Sequence, residues 1–210
     1  MTELTLHDYE LDDDCYRVRL LLSLLQRSYA KVAVDVHPGR EQQSPRYLKL
    51  NPLGALPILV DGDVVLSEAQ AILGYLARKY DASDVWMPSE AVSFGQVLQW
   101  LAFANGPLKA ASAARRHAML EEAGTDGSAA RTARNAFRIM DDHITRREFG
   151  GSEWFVGGAA TIADIALFPA IALSRDFGID HDEFAALRRW MGRVRRLPGF
   201  ITMPGIPAYY

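Results

Sequence analysis

The chain has 210 residues, of which 49% are hydrophobic and 23% charged, so it can bury a sizeable core and is not a disordered chain. Its formal net charge of −3 argues against a nucleic-acid partner, and its one cysteine excludes an internal disulfide and favours a reducing compartment. No apolar run approaches the about 20 residues that span a bilayer, and the first residues lack the basic-then-apolar order of a signal peptide. We therefore expect a cytoplasmic protein with no membrane segment.

In chain order, the first predicted elements are two strands with a helix between them. Residues 4–7 alternate apolar and polar side chains, as half-buried strands do, and residues 31–36 form a second strand-like run. Three aspartates at 12–14 precede apolar residues at helical spacing, and acidic side chains stabilise a helix start because they complement its dipole. The βαβ order predicts a parallel pair of strands.

A hairpin and a further helix are predicted next. The runs 57–60 and 64–66 flank Asp-Gly-Asp at 61–63, and Asp-Gly is a favoured hairpin turn. Ser67 and Gln70 have the spacing of a capping box that opens the following helix. With a short helix before the hairpin, the full order is βαβαββα, which predicts a mixed sheet with helices.

After residue 80 the pattern becomes helical. We expect a first domain at 1–80, a linker at 81–88 and an all-helical domain at 89–210. Apolar residues from Val97 to Leu108 predict one long helix at the start of this second domain. The predicted fold class is therefore α/β plus all-α.

Two local motifs carry candidate chemistry. Pro57 enters a predicted strand, and a cis bond between Leu56 and Pro57 would turn a main-chain edge outward, although local sequence alone favours an ordinary trans bond. At 67–69 a predicted helix begins, where free N–H groups bind anions and Glu68 can hold an ammonium group. A capped helix without a ligand is the competing interpretation of the second motif.

Four segments in series carry a resemblance that neither motif carries alone. They are Cys-Tyr-Arg-Val-Arg-Leu-Leu-Leu at 15–22, Asn-Pro-Leu-Gly-Ala-Leu-Pro at 51–57, Ser-Glu-Ala-Gln-Ala-Ile-Leu-Gly-Tyr-Leu-Ala at 67–77, and Thr-Ile-Ala-Asp at 161–164. Together they resemble the cytosolic glutathione transferase family, in its bacterial and zeta-like branches. The resemblance implies a thioredoxin-like N-terminal domain, a helical C-terminal domain, a homodimer and a role in detoxification.

The resemblance also implies a binding site for glutathione, the co-substrate. In the family the bond before the proline matching Pro57 is cis, the main chain at Leu56 pairs with the cysteinyl unit, and the acid matching Glu68 contacts the γ-glutamyl ammonium. The N–H of Ala69 and, by a looser alignment, Gln42 complete this set. The segment 161–164 matches the family's folding motif. No metal is expected, because the five histidines lack metal-ligand spacing.

Two positions depart from the family pattern. Ala69 replaces a serine whose hydrogen bond to the ligand contributes about 0.5–1.5 kcal/mol. Asp12 replaces the usual catalytic serine, and one negative charge about 4 Å from the sulfur opposes a thiolate by about 4 kcal/mol at an effective dielectric of about 20. Asp12 must therefore point to solvent or cap the helix in a thiolate-activating enzyme. Tyr9, Cys15 and main-chain N–H groups are the other candidates to contact the sulfur.

The resemblance places a pocket for a small hydrophobic electrophile on the first long helix of the second domain. The candidates are Trp100, Phe103 and Asn105, with Arg116 further along the same predicted helix. Core packing is the competing interpretation of the two aromatic residues. We expect no nucleic-acid or membrane partner.

Three functions remain open from the sequence. The leading hypothesis is conjugation of glutathione to an electrophile. A glutathione-dependent peroxidase or disulfide reductase is the first rival, and a non-catalytic scaffold is the second, suggested by Asp12 and Ala69. The electrophile is not identified by any motif, and the tail 203–210 covers either the pocket or a dimer surface.

Overall fold

The computed structural model describes residues 4–120 and 127–206, which form a mixed sheet with its helices and then a helical half. The first half comprises β1 (Leu4–Asp8), α1 (Asp13–Leu24), β2 (Ala30–Ala33), α2 (Pro45–Leu50), β3 (Ile58–Asp61), β4 (Val64–Ser67) and α3 (Ala69–Tyr80). The second half comprises α4 (Ala91–Asn105), α5 (Lys109–Leu120), α6 (Ser128–Phe149), α7 (Ile162–Ala172) and α8 (Ala185–Arg195). Short 3₁₀ turns lie at Glu41–Gln43, Ser174–Phe177 and His181–Glu183.

The sheet confirms the predicted order βαβαββα. Its four strands lie in the order β2-β1-β3-β4, with β1 parallel to β2 and both other pairs antiparallel. The hairpin turns at Gly62, whose φ of 61° lies in the left-handed region that glycine adopts without a steric penalty. This arrangement is the thioredoxin-like half that the resemblance implied.

The capping box predicted at Ser67 is wrong. Ser67 pairs with Ile58 as the last residue of β4. It therefore belongs to the sheet and is not the N-cap residue that a capping box requires. The helix begins at Ala69, with Glu68 in the N-cap position and no side chain capping it. The N-terminus of α3 is therefore uncapped.

The single long helix predicted from Val97 onward is also wrong. α4 ends at Asn105, and α5 begins at Lys109. Gly106 leaves helical geometry at φ −103° and ψ −107°, and Pro107 has no N–H with which to continue the ladder. Arg116 therefore belongs to a different helix from Trp100.

The core runs through both halves. α7 is buried along its whole length and contacts α1, α3 and α4. The same hydrophobic cluster includes Leu20 of α1, Ile72 of α3, Phe168 of α7 and Met203 of the tail. In the tail, Met203 and Ile206 pack into the core, and residues 207–210 lie outside the described part of the chain. No helix in the described ranges is long and apolar enough to cross a membrane.

The box predicted at Thr161 and Asp164 is confirmed as the N-terminus of α7. The Thr161 hydroxyl accepts a hydrogen bond from the Ala163 N–H at 3.2 Å, and the Asp164 carboxylate accepts one from the Thr161 N–H at 2.9 Å. Asp164 also accepts from the indole of Trp190 at 2.8 Å, which joins α7 to α8. The motif thus orients the most buried helix of the fold.

Candidate active site

A cleft of about 700 Å³ lies where the N-terminal ends of α1 and α3 face the side of α5. Its volume is in the range of small-molecule sites. Its wall comprises Tyr9, Leu11, Asp12, Asp13, Asp14, Val36, His37, Arg40, Gln42, Gln43, Leu53, Gly54, Ala55, Leu56, Glu68, Ala69, Lys109, Ser112, Arg115, Arg116, Met119 and Leu120.

Most of the residues singled out in the sequence meet in this cleft. The structure brings together Tyr9, Asp12, Gln42, Leu56, Glu68, Ala69 and Arg116. Pro57 is buried directly after Leu56. Cys15, Trp100, Phe103 and Asn105 do not form part of this wall. Sequence reasoning named Gln42 but missed its neighbours Arg40 and Gln43, because nothing local distinguishes the inward-facing residues of a loop.

One wall of the cleft is the main chain before β3. The Leu56–Pro57 bond is cis, as the resemblance implied, and a second cis bond at His37–Pro38 had no counterpart in the prediction. Among residues 4–120 and 127–206, no hydrogen bond uses the N–H or C=O of Leu56. Side chains hold the segment from below: the Gln43 amide donates to the Gly54 carbonyl at 2.8 Å and the Asn51 amide to the Ala55 carbonyl at 2.9 Å.

The start of α3 forms the adjoining wall. Glu68 has a φ of 70°, which a residue with a Cβ rarely adopts, and such conformations cost about 1–3 kcal/mol and cluster at functional sites. Within residues 4–120 and 127–206 no side chain caps α3, so the N–H groups at the start of this helix have no intrahelical or side-chain acceptor there. An uncapped helix start next to a carboxylate can bind both charges of an amino acid group.

The third wall is the N-terminus of α1, where Asp12 is the N-cap. Its Oδ1 accepts a hydrogen bond from the Cys15 N–H at 2.8 Å. From the sequence, Asp12 is required to point to solvent or to cap the helix in a thiolate-activating enzyme. Asp12 caps the helix, so this requirement is met. Asp12 is nevertheless also one of the residues that line the cleft.

The two following aspartates are held by partners from both halves of the fold. Arg17 contacts both carboxylates, with its Nη2 3.2 Å from Asp13. From α5, the Ser112 hydroxyl donates to Asp13 at 2.5 Å and the Lys109 ammonium to Asp14 at 3.1 Å. Burial alone raises the pKa of Asp14, but Arg17 and Lys109 outweigh that effect and hold the pKa below its usual value.

Among the residues that the structure describes, Asp12 has no cation or side-chain donor of this kind, and the pKa of Asp12 moves in the opposite direction. Burial, then the negative charges of Asp13 and Asp14, raises the pKa of Asp12 to about 7. The Cys15 N–H bond and the charge of Arg17 oppose this shift without reversing it. Asp12 therefore holds its proton more firmly than a free carboxyl group does.

Cys15 is not placed to act as a nucleophile. Its side chain is fully buried, and its sulfur accepts a 3.4 Å contact from the Tyr9 N–H. Burial, and after it the charge of Asp12, raises the pKa of the Cys15 thiol well above its usual value. A helix start favours the thiolate, which is the reactive form of cysteine, but burial outweighs this effect at Cys15.

Neither aromatic residue predicted for the electrophile pocket lines the cleft: Trp100 lies in the core, and Phe103 is half-buried against it. The Trp100 ring packs against Phe103, His143 and Phe155 at centroid distances of 5.2, 4.7 and 4.7 Å. Asn105 is exposed at the end of α4. The break at Gly106–Pro107 leaves α5 to supply the helical wall of the cleft.

One cluster offers metal-type ligands away from the cleft. Asp180, His181 and Asp182 bring ligand atoms within 4.8 Å of one another. Arg175 donates to both aspartates, at 2.9 and 3.0 Å. Ion pairs therefore already neutralise these carboxylates.

A thioredoxin-like sheet with its helices, followed by a helical half, defines a class of two-part folds that combine an α/β half with an all-α half. Two family profiles, Glutathione S-transferase, N-terminal domain, and Glutathione S-transferase, C-terminal domain, match residues 3–78 and 125–198. The chain belongs to the glutathione S-transferase family.

Individual relatives refine this comparison. A zeta-class glutathione S-transferase of Euphorbia esula is 30% identical, over 94% of this chain and 88% of its own. A probable maleylacetoacetate isomerase of Vibrio cholerae is 26% identical, over 95% and 94%. A crystal structure of a glutathione transferase homologue from Drosophila mojavensis with bound glutathione has a TM-score of 0.84 at 26% identity, over 94% and 90%. The likeness to the zeta-like branch confirms the resemblance found in the sequence.

Proposed function

We propose that the protein binds glutathione in this cleft and transfers its thiolate to an electrophile. The observation that carries the proposal is the position of the free main-chain edge at Leu56 beside the uncapped start of α3 at Glu68 and Ala69. A tripeptide with an amino acid group at one end requires both features. The glutathione-bound homologue from Drosophila mojavensis supports this choice of ligand.

The charges of the cleft match those of glutathione from end to end. The γ-glutamyl ammonium meets Glu68, and its carboxylate meets the N–H groups at Ala69. The cysteinyl unit pairs with the main chain of Leu56. At the other end the glycyl carboxylate lies toward Arg40, an exposed cation on the cleft wall, with Gln42 beside it.

The thiol then faces the start of α1, and the electrophile lies between α1 and α5. Met119 and Leu120 offer apolar surface there, and Arg116 offers a cation. Holding the two reactants in contact supplies much of the rate in such additions. The predicted homodimer stays a prediction, which sedimentation tests.

A second candidate is cis–trans isomerisation of an unsaturated carboxylate. The observation that favours it is Arg116, an exposed cation on the electrophile side without an ion-pair partner in the part of the chain that the structure describes. The name of the relative from Vibrio cholerae, probable maleylacetoacetate isomerase, denotes a reaction of this kind. The thiolate would add to the double bond, the carbon–carbon bond would rotate, and the same thiolate would leave.

Calorimetry with glutathione tests the binding half of the proposal. Glu68→Gln removes the negative charge, and loss of a charged hydrogen bond of about 1.5–3 kcal/mol weakens binding by about 10-fold to 100-fold. Glu90→Gln is the matched control, because Glu90 caps α4 at an exposed position that is not on the cleft wall. No heat with the unmodified protein at millimolar glutathione contradicts the proposal.

Assays with separate substrates distinguish the two reactions. Conjugation of a chlorodinitrobenzene measures transfer, and conversion of maleylacetone, a cis compound, into its trans isomer measures isomerisation. Arg116→Ala is expected to lower isomerisation far more than conjugation, since only the first substrate carries a carboxylate. Equal effects on both reactions contradict the role of Arg116 in the second candidate.

A further inference from the structure

The loop between β1 and α1 is held by arginine side chains at three successive carbonyls. From α1, the Arg19 guanidinium donates to the carbonyls of Tyr9 and Glu10 at 3.3 and 2.9 Å. From α5, Arg115 donates an Nη1 N–H to the Leu11 carbonyl at 2.5 Å. Tyr9 and Leu11 line the cleft, so these bonds fix the main chain at the end of the cleft that adjoins the start of α1.

Arg115 reaches this loop from the helical half of the fold. Its side chain is only 6% exposed, although Arg115 is one of the residues on the cleft wall. A second bond, from its Nε to Oδ2 of Asp176 at 2.7 Å, joins the guanidinium to the 3₁₀ turn Ser174–Phe177. Because a guanidinium is planar and its donors point in fixed directions, the two bonds together set the position of the Leu11 carbonyl.

Arg115 is the last of three side chains that connect α5 with this region. Lys109, Ser112 and Arg115 are three residues apart and therefore lie along one face of the helix. Lys109 and Ser112 contact the carboxylates of Asp14 and Asp13, at 3.1 and 2.5 Å. The bond from Arg115 goes to the main chain instead, so its loss releases the loop itself.

We propose that Arg115 is a positioning residue for thiolate transfer, because it holds the loop 9–12 beside which the glutathione sulfur lies. The inference rests on the proposed function, in which Leu56 and Glu68 bind the ligand and its thiol faces the start of α1. Arg115 bonds the loop, whereas other elements form the two binding walls. It therefore affects the reacting end of glutathione rather than the strength with which glutathione is held.

Replacing Arg115 with glutamine should separate turnover from binding. A displacement of about 1 Å at the reacting atoms can cost about 100-fold in rate, so we expect kcat for a chlorodinitrobenzene to fall by about 10-fold to 100-fold. The dissociation constant and KM for glutathione should change by less than about 3-fold, because the binding walls remain. Calorimetry gives the number of glutathione sites, and kcat per site excludes any loss caused by unfolded protein.

Two further variants separate the position of the guanidinium from its charge. Arg115→Lys keeps the positive charge but not the planar fork that bonds Asp176 and Leu11 together, so kcat should stay low. Asp176→Asn weakens the bond that orients the guanidinium, at a residue outside the cleft wall, and should lower kcat by a smaller factor. Combined with Arg115→Gln it should lower kcat no further, because both changes act through one guanidinium.

Arg147 provides the matched control. Its guanidinium also holds a loop, through the carbonyls of Trp154 and Gly157, but it lies outside the cleft wall. We expect Arg147→Gln to lower the melting temperature and to leave kcat per glutathione site unchanged.

Each contrary result has a defined meaning. Full recovery of kcat in Arg115→Lys assigns the effect to charge and overturns the positioning role, as do equal losses of kcat in Arg115→Gln and Arg147→Gln. If Arg115→Gln does not fold, an unchanged kcat in Asp176→Asn overturns the role. Absence of glutathione binding by the unmodified protein overturns the proposed function itself, which calorimetry detects before any variant is made.

Discussion

Replacing Asp164 with alanine is expected to destabilise the fold strongly. The carboxylate accepts hydrogen bonds from the N–H groups of Thr161 at 2.9 Å and Phe155 at 3.2 Å, and from the Trp190 indole at 2.8 Å. All three donors are buried, and alanine leaves them without an acceptor. Unsatisfied buried donors cost about 1–3 kcal/mol each, so we expect a loss of about 4 kcal/mol in the free energy of unfolding.

Thermal and urea unfolding measure this loss. For a chain of this length, about 4 kcal/mol lowers the melting temperature by about 8–16 °C. Asp180→Ala is the matched control: Asp180 also caps a turn, by accepting from the Asp182 N–H at 3.1 Å, but it is exposed, so we expect about 1 kcal/mol or less. Thr161→Ala removes the bond from the Ala163 N–H and the bond that the Thr161 hydroxyl donates to Asp164 at 3.2 Å, and it gives a milder variant of about 1–2 kcal/mol should Asp164→Ala not fold. Equal losses for Asp164→Ala and Asp180→Ala refute the reasoning.

Two further predictions concern Asp61 and Cys15. Burial raises the pKa of Asp61, but hydrogen bonds from Lys79, Tyr80 and Tyr75 outweigh it and lower the pKa from 3.8 to about 2. Asp61 therefore stabilises the fold by about 2 kcal/mol above about pH 4, and urea unfolding should show this contribution vanish toward pH 2 in the unmodified protein but not in Asp61→Asn. Cys15→Ala is expected to leave conjugation unchanged, because the thiol is fully buried. A loss of disulfide reduction in that variant favours the reductase rival instead.

The elements that the sequence predicted correctly are those whose signals are local. The hairpin depends on an Asp-Gly turn at Gly62, and the box at Thr161 and Asp164 depends on side chains that bond main-chain groups two or three residues away. Both kinds of signal act over a few residues and need no knowledge of the rest of the fold. The capping-box spacing at Ser67 was misleading, because Ser67 pairs with Ile58 in the sheet and does not cap α3.

The break between α4 and α5 was visible in the sequence and was outweighed by periodicity. Leu101 and Leu108 lie on one face of an ideal helix, yet Gly106 and Pro107 stand between them. Both leucines are buried, so the apolar spacing reflects a shared core rather than a shared helix. A proline at an interior position ends or kinks a helix at a cost of about 3 kcal/mol, which exceeds what continued periodicity offers.

The composition of the cleft was only half predictable. Leu56 was found because it lies on the motif at 51–57, and Glu68 and Ala69 because they lie on the motif at 67–77. The opposite wall comes from α5, whose approach to α1 is set by contacts such as Lys109 with Asp14 and Ser112 with Asp13, about one hundred residues apart. The local spacing of residues does not reveal such long-range pairs. The aromatic Trp100 was therefore predicted for this wall, although it does not line the cleft.

The geometry of the cleft bears on whether the departures at Asp12 and Ala69 indicate a scaffold without a ligand. Aspartate caps a helix as well as serine does, so the start of α1 is intact despite the first departure. The uncapped start of α3 and the left-handed backbone of Glu68 each lower stability, by about 1 and about 1–3 kcal/mol. A protein that binds nothing there gains no compensation for either feature, whereas a ligand whose carboxylate accepts from those N–H groups offsets both. The retained strain therefore favours an occupied site over a scaffold.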